Sequence, residues 1–592
     1  MERMIPVGWK SQILASLLAW SLVGVAGAAR HTVSNTGDSG AGSLRNTLGS
    51  AIAGDEIDFD ESLDGMAITL TSGELLIDKH LVVDASNLNR GIEISGDETT
   101  RVLRVVPSVV ATLKNLRILN GRAPAPENGG GIFNEGELTL EGCTLSNNLS
   151  GSSLEAFGKG GGGGAIYNSV KLTVVDSTIA NNRAPSAGGG IWNAGSGNCR
   201  IERSTVSGNL AGIANHGMSD ASGGGIYSLG ELEVVGSVIV ENRADATTGS
   251  DFVADPERGG AGGGIYSEGS CHVIGSEISG NVAGEGLGTA RLGGQGGHGG
   301  GIYCGGTLTV TTSLISRNRA GKGGRGASAG DGGGGSGGGI YAVGPCTITR
   351  SALCENISGL GGAYGFSPIR SGHGGGIVAR ETLVMENSSV LANSASPDLH
   401  IDSVGGDGGG VYCTKSAILT HCTIAFNRTT DGRFTFGGGI AMASGAQNLE
   451  MAACVVAGNL ANDHPDLSLA SPLIEVVRRG LNFVGEATDV AGFPTGFISG
   501  DPMLSLPGDF GGGLTAAMPL TGSPLIDSAN LSAPGGLAID QRGQMRNVPD
   551  IGAIERVASD SRFDRGIEDI GVLTITYAID STDLSVQRGL IQ

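Results

Sequence analysis

The sequence predicts an all-β chain folded as a single-stranded parallel β-helix, a solenoid with a cap at each end. Three observations support this: a ten-fold internal repeat, apolar residues spaced two apart within it, and no run with a helical period. Each repeat opens with glycines, an Ile or Val and usually an aromatic residue, and it closes on an asparagine. In eight repeats the opening residue and the asparagine are 16 apart, whereas the distance to the next opening varies from 9 to 23. A segment of constant length followed by a variable loop is typical of stacked coils.

The strand period appears inside the constant segment. The opening residues are Ile132, Ile166, Ile191, Ile226, Ile265, Ile302, Ile340, Ile377, Val411 and Ile440, and the closing asparagines are Asn148, Asn182, Asn209, Asn242, Asn281, Asn318, Asn356, Asn393, Asn427 and Asn459. Apolar pairs such as Leu138 and Leu140 follow six and eight residues after the opening. A small residue such as Cys143 stands eleven positions after the opening residue, and an aliphatic residue such as Leu145 stands thirteen positions after it. This pattern predicts three short strands per repeat, hence one coil.

In such a rod, residues at one repeat position form a column, because strands of adjacent coils pair in register about 4.8 Å apart. Ten coils then span about 50 Å. The asparagines are expected to form one column, with amides bonded to one another and to turn backbone. A buried amide is tolerated only when it is hydrogen-bonded, so we expect this column to have a structural role.

The amino-acid composition and net charge argue against several classes of function. The chain has 592 residues, a formal net charge of −21 and 108 glycines, which cluster before the opening residues where turns need positive φ. An acidic balance with few basic clusters argues against nucleic acid and anionic membranes as partners. Neither a Gly-X-Y period nor a calcium-binding glycine-rich nonapeptide occurs. We therefore predict no cofactor; calcium stays possible, although no motif indicates it.

The chain divides into five predicted segments. Residues 1–29 have the pattern of a secretory signal peptide: Arg3 and Lys10, an apolar stretch over 13–25, then small residues. An uncleaved N-terminal anchor is the alternative, and no later segment could span a membrane as a helix. After the signal we expect an N-terminal cap and first coils over 30–100, β-helix repeats over 101–460, a C-terminal cap over 461–557 and a peripheral tail over 558–592.

Nine cysteines in an exported protein raise the question of disulfides. Most occupy inward columns of the repeat, as Cys199, Cys271 and Cys346 do, and are predicted to be small buried hydrophobes. Only Cys422 and Cys454 share a column on adjacent coils, where a bridge is geometrically possible. The sequence leaves open whether this pair is oxidised.

Two regions resemble known families. The glycine-Ile opening with a downstream Ile179-x-x-Asn182 resembles the polymorphic outer-membrane protein repeat, in which Gly-Gly-Ala-Ile and Phe-x-x-Asn recur; here aliphatic residues replace Phe. Four ordered C-terminal motifs are similar to the choice-of-anchor Q domain of bacterial surface proteins: Asp501-Pro502, Gly522-Ser523-Pro524-Leu525-Ile526-Asp527, Asp540-Gln541-Arg542-Gly543 and Asp550-Ile551-Gly552-Ala553-Ile554-Glu555. The resemblance covers most of 30–557 and implies an exported bacterial protein with a right-handed, pectin-lyase-like β-helix. No sortase or lipid-anchor motif is visible, so the mode of attachment stays open.

One charged cluster is a candidate for catalysis. Arg200, Glu202 and Glu233 fall on adjacent coils together with Asp176 and Arg203, and active sites tend to cluster charges. A polysaccharide lyase of this shape would need stacked carboxylates for calcium and a basic proton acceptor, whereas the outward positions are largely Thr. The simpler interpretation is a set of surface ion pairs of little energetic worth.

A second candidate lies in the glycine-rich loops. His298, Ser336, His373 and Asp407 each stand four residues before an opening residue, on consecutive coils. Their side chains are of the types found in a nucleophile, base and orienting triad. Ordinary polar loop residues are the competing interpretation, and we favour it.

The third candidate is the aromatic column, defined as the residues that directly follow the opening residues. Its candidate ligand-binding members are Tyr167, Trp192, Tyr227, Tyr266, Tyr303 and Tyr341, and Phe133 and Tyr412 occupy the same position. Strand alternation directs these side chains outward, where rings could stack on sugars or contact a protein. The competing interpretation, which we favour, is that loops cover the rings and the column only stiffens the rod, because a bare row of aromatic residues would be an exposed apolar patch.

The sequence thus favours a secreted or cell-surface protein without catalytic activity, with an adhesive, envelope, or glycan- or protein-binding role. Its expected partners are a polysaccharide or a cell-surface protein. A polysaccharide lyase or hydrolase is the first alternative, and a purely structural envelope spacer is the second. The ligand and the oligomeric state are not determined by the sequence.

Overall fold

The computed structural model describes eleven segments of the chain. These are residues 28–151, 160–212, 221–245, 258–288, 292–326, 330–362, 370–395, 405–429, 435–486, 497–529 and 537–564. The predicted signal peptide lies almost wholly outside them, as does the tail beyond residue 564.

Three large sheets, each made only of parallel strands, run the length of the rod, and every coil from Leu75 onward contributes one strand to each. We name them first, second and third in the order in which one coil visits them. The chain winds in the right-handed sense that crossovers between parallel strands adopt. The predicted right-handed parallel β-helix is therefore confirmed.

The strands are short. The first sheet has 13 strands: Leu75–Ile77, Leu103–Val105, Ile132–Asn134, Ile166–Asn168, Ile191–Asn193, Ile226–Ser228, Ile265–Ser267, Ile302–Cys304, Ile340–Ala342, Ile377–Ala379, Val411–Cys413, Ile440–Met442 and Leu467–Leu469. The second has 15: Arg30–Val33, Glu56–Phe59, Leu81–Asp84, Val110–Lys114, Glu137–Glu141, Lys171–Val175, Asn198–Glu202, Glu231–Val235, Cys271–Ile274, Leu308–Thr311, Cys346–Thr349, Thr382–Glu386, Ser416–Thr420, Asn448–Ala452 and Glu475–Arg479. The third has 14: Ala67–Thr69, Ile92–Ser95, Leu116–Leu119, Thr144–Ser146, Thr178–Ala180, Thr205–Ser207, Val238–Val240, Glu277–Ser279, Leu314–Ser316, Ala352–Cys354, Ser389–Leu391, Thr423–Ala425, Val455–Ala457 and Phe483–Val484.

The remaining elements are small. Two-residue strands follow the third sheet at Arg183–Ala184, Leu210–Ala211, Arg243–Ala244, Ser394–Ala395 and Arg428–Thr429, and an antiparallel pair joins Gly508–Asp509 to Thr515–Ala516. The helices are an α-helix over Leu44–Ser50 and 3₁₀ turns over Glu61–Leu63 and Ala558–Asp564. The described residues contain only these short helices, none of which could span a lipid bilayer.

The register follows the sequence repeat. Ile132 pairs with Ile166, and Leu138 pairs with Leu172, so each repeat position becomes a column of the core. The opening residues and the inward pairs of the second strand are fully or almost fully buried. One glycine of each opening has positive φ; at Gly163 (φ 68°) an added Cβ would lie 2.3 Å from the carbonyl oxygen of Ile166. This close approach explains why the glycine position recurs.

The asparagine ladder, as we name the column of closing asparagines, forms one hydrogen-bonded chain. Each amide nitrogen donates to the amide oxygen of the next coil, from Asn148 to Asn182 at 2.9 Å through to Asn427 and Asn459 at 2.9 Å. Asp466 accepts the last bond, also at 2.9 Å. A shorter chain that we did not anticipate joins Asn134, Asn168 and Asn193 to Ser228.

All nine cysteines are buried free thiols. Cys199, Cys271 and Cys346 lie in the inward column of the second sheet, as the repeat position indicates. Cys422 and Cys454 lie side by side on adjacent coils as hydrogen-bonded thiols, and burial raises the pKa of Cys422.

Candidate functional site

The charged cluster is brought together on the outer surface, where it forms one ion-pair network. Arg200 projects outward from the second sheet and donates to Glu202 at 3.0 Å and to Glu233 of the next coil. Arg203 donates two bonds of 2.9 Å to Asp176 of the preceding coil, and it also contacts Glu202. Asp176 and Arg203 occupy bends with φ near 47°, which places them in one column.

These pairs move the pKa values away from those that acid–base catalysis needs. Hydrogen bonding to Glu233 and Glu202 raises the pKa of Arg200, and Arg200 in turn lowers the pKa of Glu202. Arg203 likewise lowers the pKa of Asp176. A general base or acid works best with a pKa near the operating pH, whereas here both partners stay charged. The arrangement therefore favours a surface ion-pair network.

The aromatic column is continuous over seven coils and made of rings in contact. Centroids of successive rings are 5.0 Å apart for Phe133–Tyr167, 6.1 Å for Tyr167–Trp192, 5.0 Å for Trp192–Tyr227, 4.8 Å for Tyr227–Tyr266, 4.7 Å for Tyr266–Tyr303 and 5.5 Å for Tyr303–Tyr341. Val378 interrupts the column, which resumes at Tyr412.

The orientation of the rings decides what they can offer a ligand. Tyr227, Tyr266 and Tyr303 are stacked within 4° of parallel at about the strand spacing, so their faces contact one another along the rod. Only ring edges and hydroxyl groups are then presented outward. Trp192 is tilted by more than 50° to both neighbours, but the loop backbone covers it: a Cβ on Gly162 would lie 1.6 Å from its ring.

Polar groups border the column at several points. Arg101 and Arg104 lie 5.1 and 5.3 Å from the centroid of the Phe133 ring, which closes the N-terminal end of the column with cations. Near the other end, Arg380 donates to the hydroxyl oxygen of Tyr341 at 3.1 Å. The seven rings are half-buried or buried, with Tyr341 only 7 % exposed. The column can therefore offer hydrogen-bonding hydroxyls and apolar edges rather than open ring faces.

The loop residues suggested by the triad pattern lie in a column, but their bonds are those of a turn. His298 Nδ1 accepts the backbone N–H of Ser336 at 2.9 Å, and Ser336 Oγ accepts that of His373 at 3.1 Å. His373 Nδ1 then accepts the N–H of Asp407 at 3.0 Å. Among the residues that the structure describes, the serine hydroxyl is not hydrogen-bonded to an imidazole, as a nucleophile–base pair requires.

The two histidines are held neutral. Burial lowers the pKa of His298 and of His373 to about 4, while burial raises the pKa of Asp407 to about 6. His298 stacks on Tyr341 with centroids 4.5 Å apart, and His373 stacks on Tyr412 at 4.3 Å. The sequence did not predict this stacking, by which the two loop histidines pack against rings of the aromatic column.

The described residues do not form a metal centre. Within the segments given above, no three His, Cys, Asp or Glu side chains converge in a way that could hold an ion. The absence of a cofactor stays a prediction.

Comparisons with known proteins add little. No protein-family model matches the chain, and no curated protein matches it. Two solved chains match, one of them described as "Crystal structure of pectate lyase Pel9A". It is 12 % identical, with a TM-score of 0.28, and the alignment covers 90 % of this chain and 98 % of that one. At this level the likeness says nothing about activity, and the fold class rests on the three parallel sheets of this chain.

Proposed function

We propose that this chain is an exported β-helix rod of the bacterial cell surface or surroundings, without catalytic activity, which binds a glycan or a protein through the aromatic column. The observation that carries the proposal is the continuity of the column from Phe133 to Tyr341. Its contact groups are the ring edges of Tyr167, Tyr266 and Tyr303 and the hydroxyls of Tyr167 and Tyr303, all half-buried, whereas the Tyr266 hydroxyl donates to Glu268.

Two further observations support the proposal. The candidate catalytic residues Arg200, Glu202 and Glu233 are paired with one another, so the rod presents no free acid and base there. The resemblance of the repeat to polymorphic outer-membrane proteins and of residues 501–555 to the choice-of-anchor Q domain supports an exported bacterial protein, as does the signal-like pattern of residues 1–29.

The test is a binding and turnover assay on a glycan panel, with and without calcium. Tyr167→Phe and Tyr303→Phe remove hydroxyls but keep the stacked rings, so they separate ligand contact from packing. We expect each variant to bind about fivefold more weakly at unchanged stability, the effect of one lost hydrogen bond. Tyr412→Phe, which lies beyond the interruption at Val378, is the matched control and should bind as the parent does.

Other outcomes replace the proposal. Unsaturated or reducing-end products that Arg200→Ala abolishes would establish a polysaccharide lyase or hydrolase instead. Absence of binding to every glycan and to cell-surface protein extracts would favour the structural spacer.

A further inference from the structure

A row of exposed arginines runs beside the third sheet, past the ends of its strands. The residue after each ladder asparagine, or after its equivalent Gly121, alternates between arginine and an aliphatic residue on eight consecutive coils. The arginines are Arg122, Arg183, Arg243 and Arg319, and we name them the arginine row. The aliphatic residues between and after them are Leu149, Leu210, Val282 and Ile357.

Backbone pairing fixes the spacing of the row. Arg183 pairs with Leu210 and Leu210 with Arg243 in short parallel ladders, and single bridges continue the register to Arg122 and Arg319. Successive arginines are therefore two coils apart, about 10 Å, and the row spans about 30 Å. All four are exposed, whereas the aliphatic residues are half-buried.

Most of the row is electrostatically unsatisfied. Within the part of the chain that the structure describes, the side chains of Arg122, Arg183 and Arg319 form no ion pair and no hydrogen bond, and only Arg243 has a carboxylate, Asp245, at 3.3 Å. On this acidic protein of net charge −21, Arg200 by contrast is paired with carboxylates, whereas among the described residues Arg90, Arg117 and Arg317 also form no ion pair.

The chemistry of the row suits an anionic ligand. A guanidinium group offers a planar fork of donors that matches a carboxylate or a sulfate ester in a two-bond geometry. Half-buried aliphatic residues between the arginines provide an apolar surface against which the arginine methylenes and the C–H groups of a sugar can pack. Arg122, Arg183 and Arg319 are three uncompensated like charges in line that repel one another, and a bound polyanion relieves that repulsion.

We propose that the arginine row binds a linear acidic polysaccharide that carries one anionic group on every second sugar. An extended sugar ring advances by roughly one strand spacing, so such a polymer matches arginines placed on alternate coils. The site lies beyond the third sheet and involves none of the aromatic column, so this inference does not rest on the proposed function above. The competing interpretation is that the alternation of arginine and aliphatic residues only keeps like charges apart. It predicts no binding of a polyanion.

The test compares polymers that differ in charge spacing and anion type, bound to the full chain in 50 and 200 mM salt. Hyaluronan carries one carboxylate per disaccharide, kappa-carrageenan one sulfate per disaccharide, and polygalacturonate a carboxylate on every sugar; double-stranded DNA tests a general attraction of phosphates. We expect tighter binding to one of the first two than to polygalacturonate or DNA, and the preferred one identifies the anion.

Variants then assign the site. Arg183→Gln and Arg319→Gln should each weaken binding about tenfold, with a shallower salt dependence. Arg90→Gln, an exposed arginine outside the row, is the matched control for loss of one charge and should have little effect. Tyr303→Phe should leave polyanion binding unchanged, which separates this result from the fate of the aromatic column. No binding in 50 mM salt, equal binding to all four polymers, or an equal loss in Arg90→Gln would overturn the proposal.

Discussion

At the scale of single residues, the asparagine ladder shows how one side chain can hold two neighbouring coils. The amide nitrogen of Asn281 donates to Asn318 Oδ1 at 3.0 Å and to the carbonyl oxygen of Ile239 at 2.9 Å. Its oxygen accepts the backbone N–H and the side-chain amide of Asn242, both at 3.0 Å. Every partner is buried, so the ladder fixes the register of the coils as well as stabilising them.

Asn281→Ala should therefore destabilise the rod by about 3 kcal/mol, because it leaves several buried groups without partners. The measurement is the midpoint of denaturant unfolding. Asn198→Ala removes an exposed asparagine that bonds to Glu231 and should change stability by less than about 0.5 kcal/mol. Equal losses in the two variants would mean that the ladder contributes little.

At the scale of elements, the C-terminal residues 504–529 and 537–555 lie against the outer face of the third sheet, whereas residues 467–484, also within the predicted cap, form a further coil of the rod. Outward residues of the third sheet are partly exposed in strands such as Thr144–Ser146, but wholly buried from Ala352–Cys354 onward. Arg546 holds the C-terminal segment in place: it donates to Asn387 of the sheet bend at 3.1 Å and to Glu555 at 3.4 Å. Ala517 packs against the same face.

A buried histidine lies at this contact. His421 is 1 % exposed, and among the described residues its Nδ1 has no hydrogen-bond partner. Burial, and then the charge of Arg546, lower its pKa from 6.5 to about 3. A pKa below its unfolded value means that stability is complete above about pH 6.5 and is lost progressively as the pH falls towards 3.

We predict that His421→Gln, which cannot be protonated, becomes less acid-sensitive than the parent chain. Stability of the two proteins should diverge in favour of the variant between pH 6.5 and 4, and limited proteolysis near residues 537–557 should report release of the segment in the parent. His272→Gln, on the outer surface of the second sheet, is the control. Parallel pH profiles of parent and His421→Gln would contradict the role given to this side chain.

At the scale of the whole molecule, the ends of the rod need cover, because an open coil exposes unpaired strand edges and core side chains. The helix Leu44–Ser50 provides it at the N-terminal end: Ser43 caps its first turn, and Leu44 and Leu48 join the core. This helix lies in the segment 30–100, where the sequence predicts the N-terminal cap.

Leu48→Glu should open this end, since it places a charge in a site that is 5 % exposed. We expect a loss on the order of 3 kcal/mol and concentration-dependent association through the uncovered strands, seen by analytical ultracentrifugation. Asn46→Glu, on the exposed face of the same helix, introduces the same charge and should associate no more than the parent chain does. Association in neither variant would show that the helix is not needed to protect the edge.

The rod itself could be predicted from the sequence, because stacking of identical coils converts a linear repeat directly into columns. The inward pairs such as Leu138 and Leu140, the asparagine ladder and the neighbouring thiols Cys422 and Cys454 all follow from repeat position and strand alternation. The alternation of arginine and aliphatic residues was equally visible after each asparagine, yet its meaning depends on knowing that those positions are surface neighbours.

Only the tertiary structure decided how the side chains of the candidate sites are oriented and paired. Strand alternation directs Tyr266 outward, but it does not say that its ring face is taken up by Tyr303. The ion-pair network of Arg200 and the docking of residues 504–529 and 537–555 on the third sheet depend on rotamers and on contacts between distant parts of the chain. The periodic backbone follows from local pattern, whereas these non-periodic contacts come from packing.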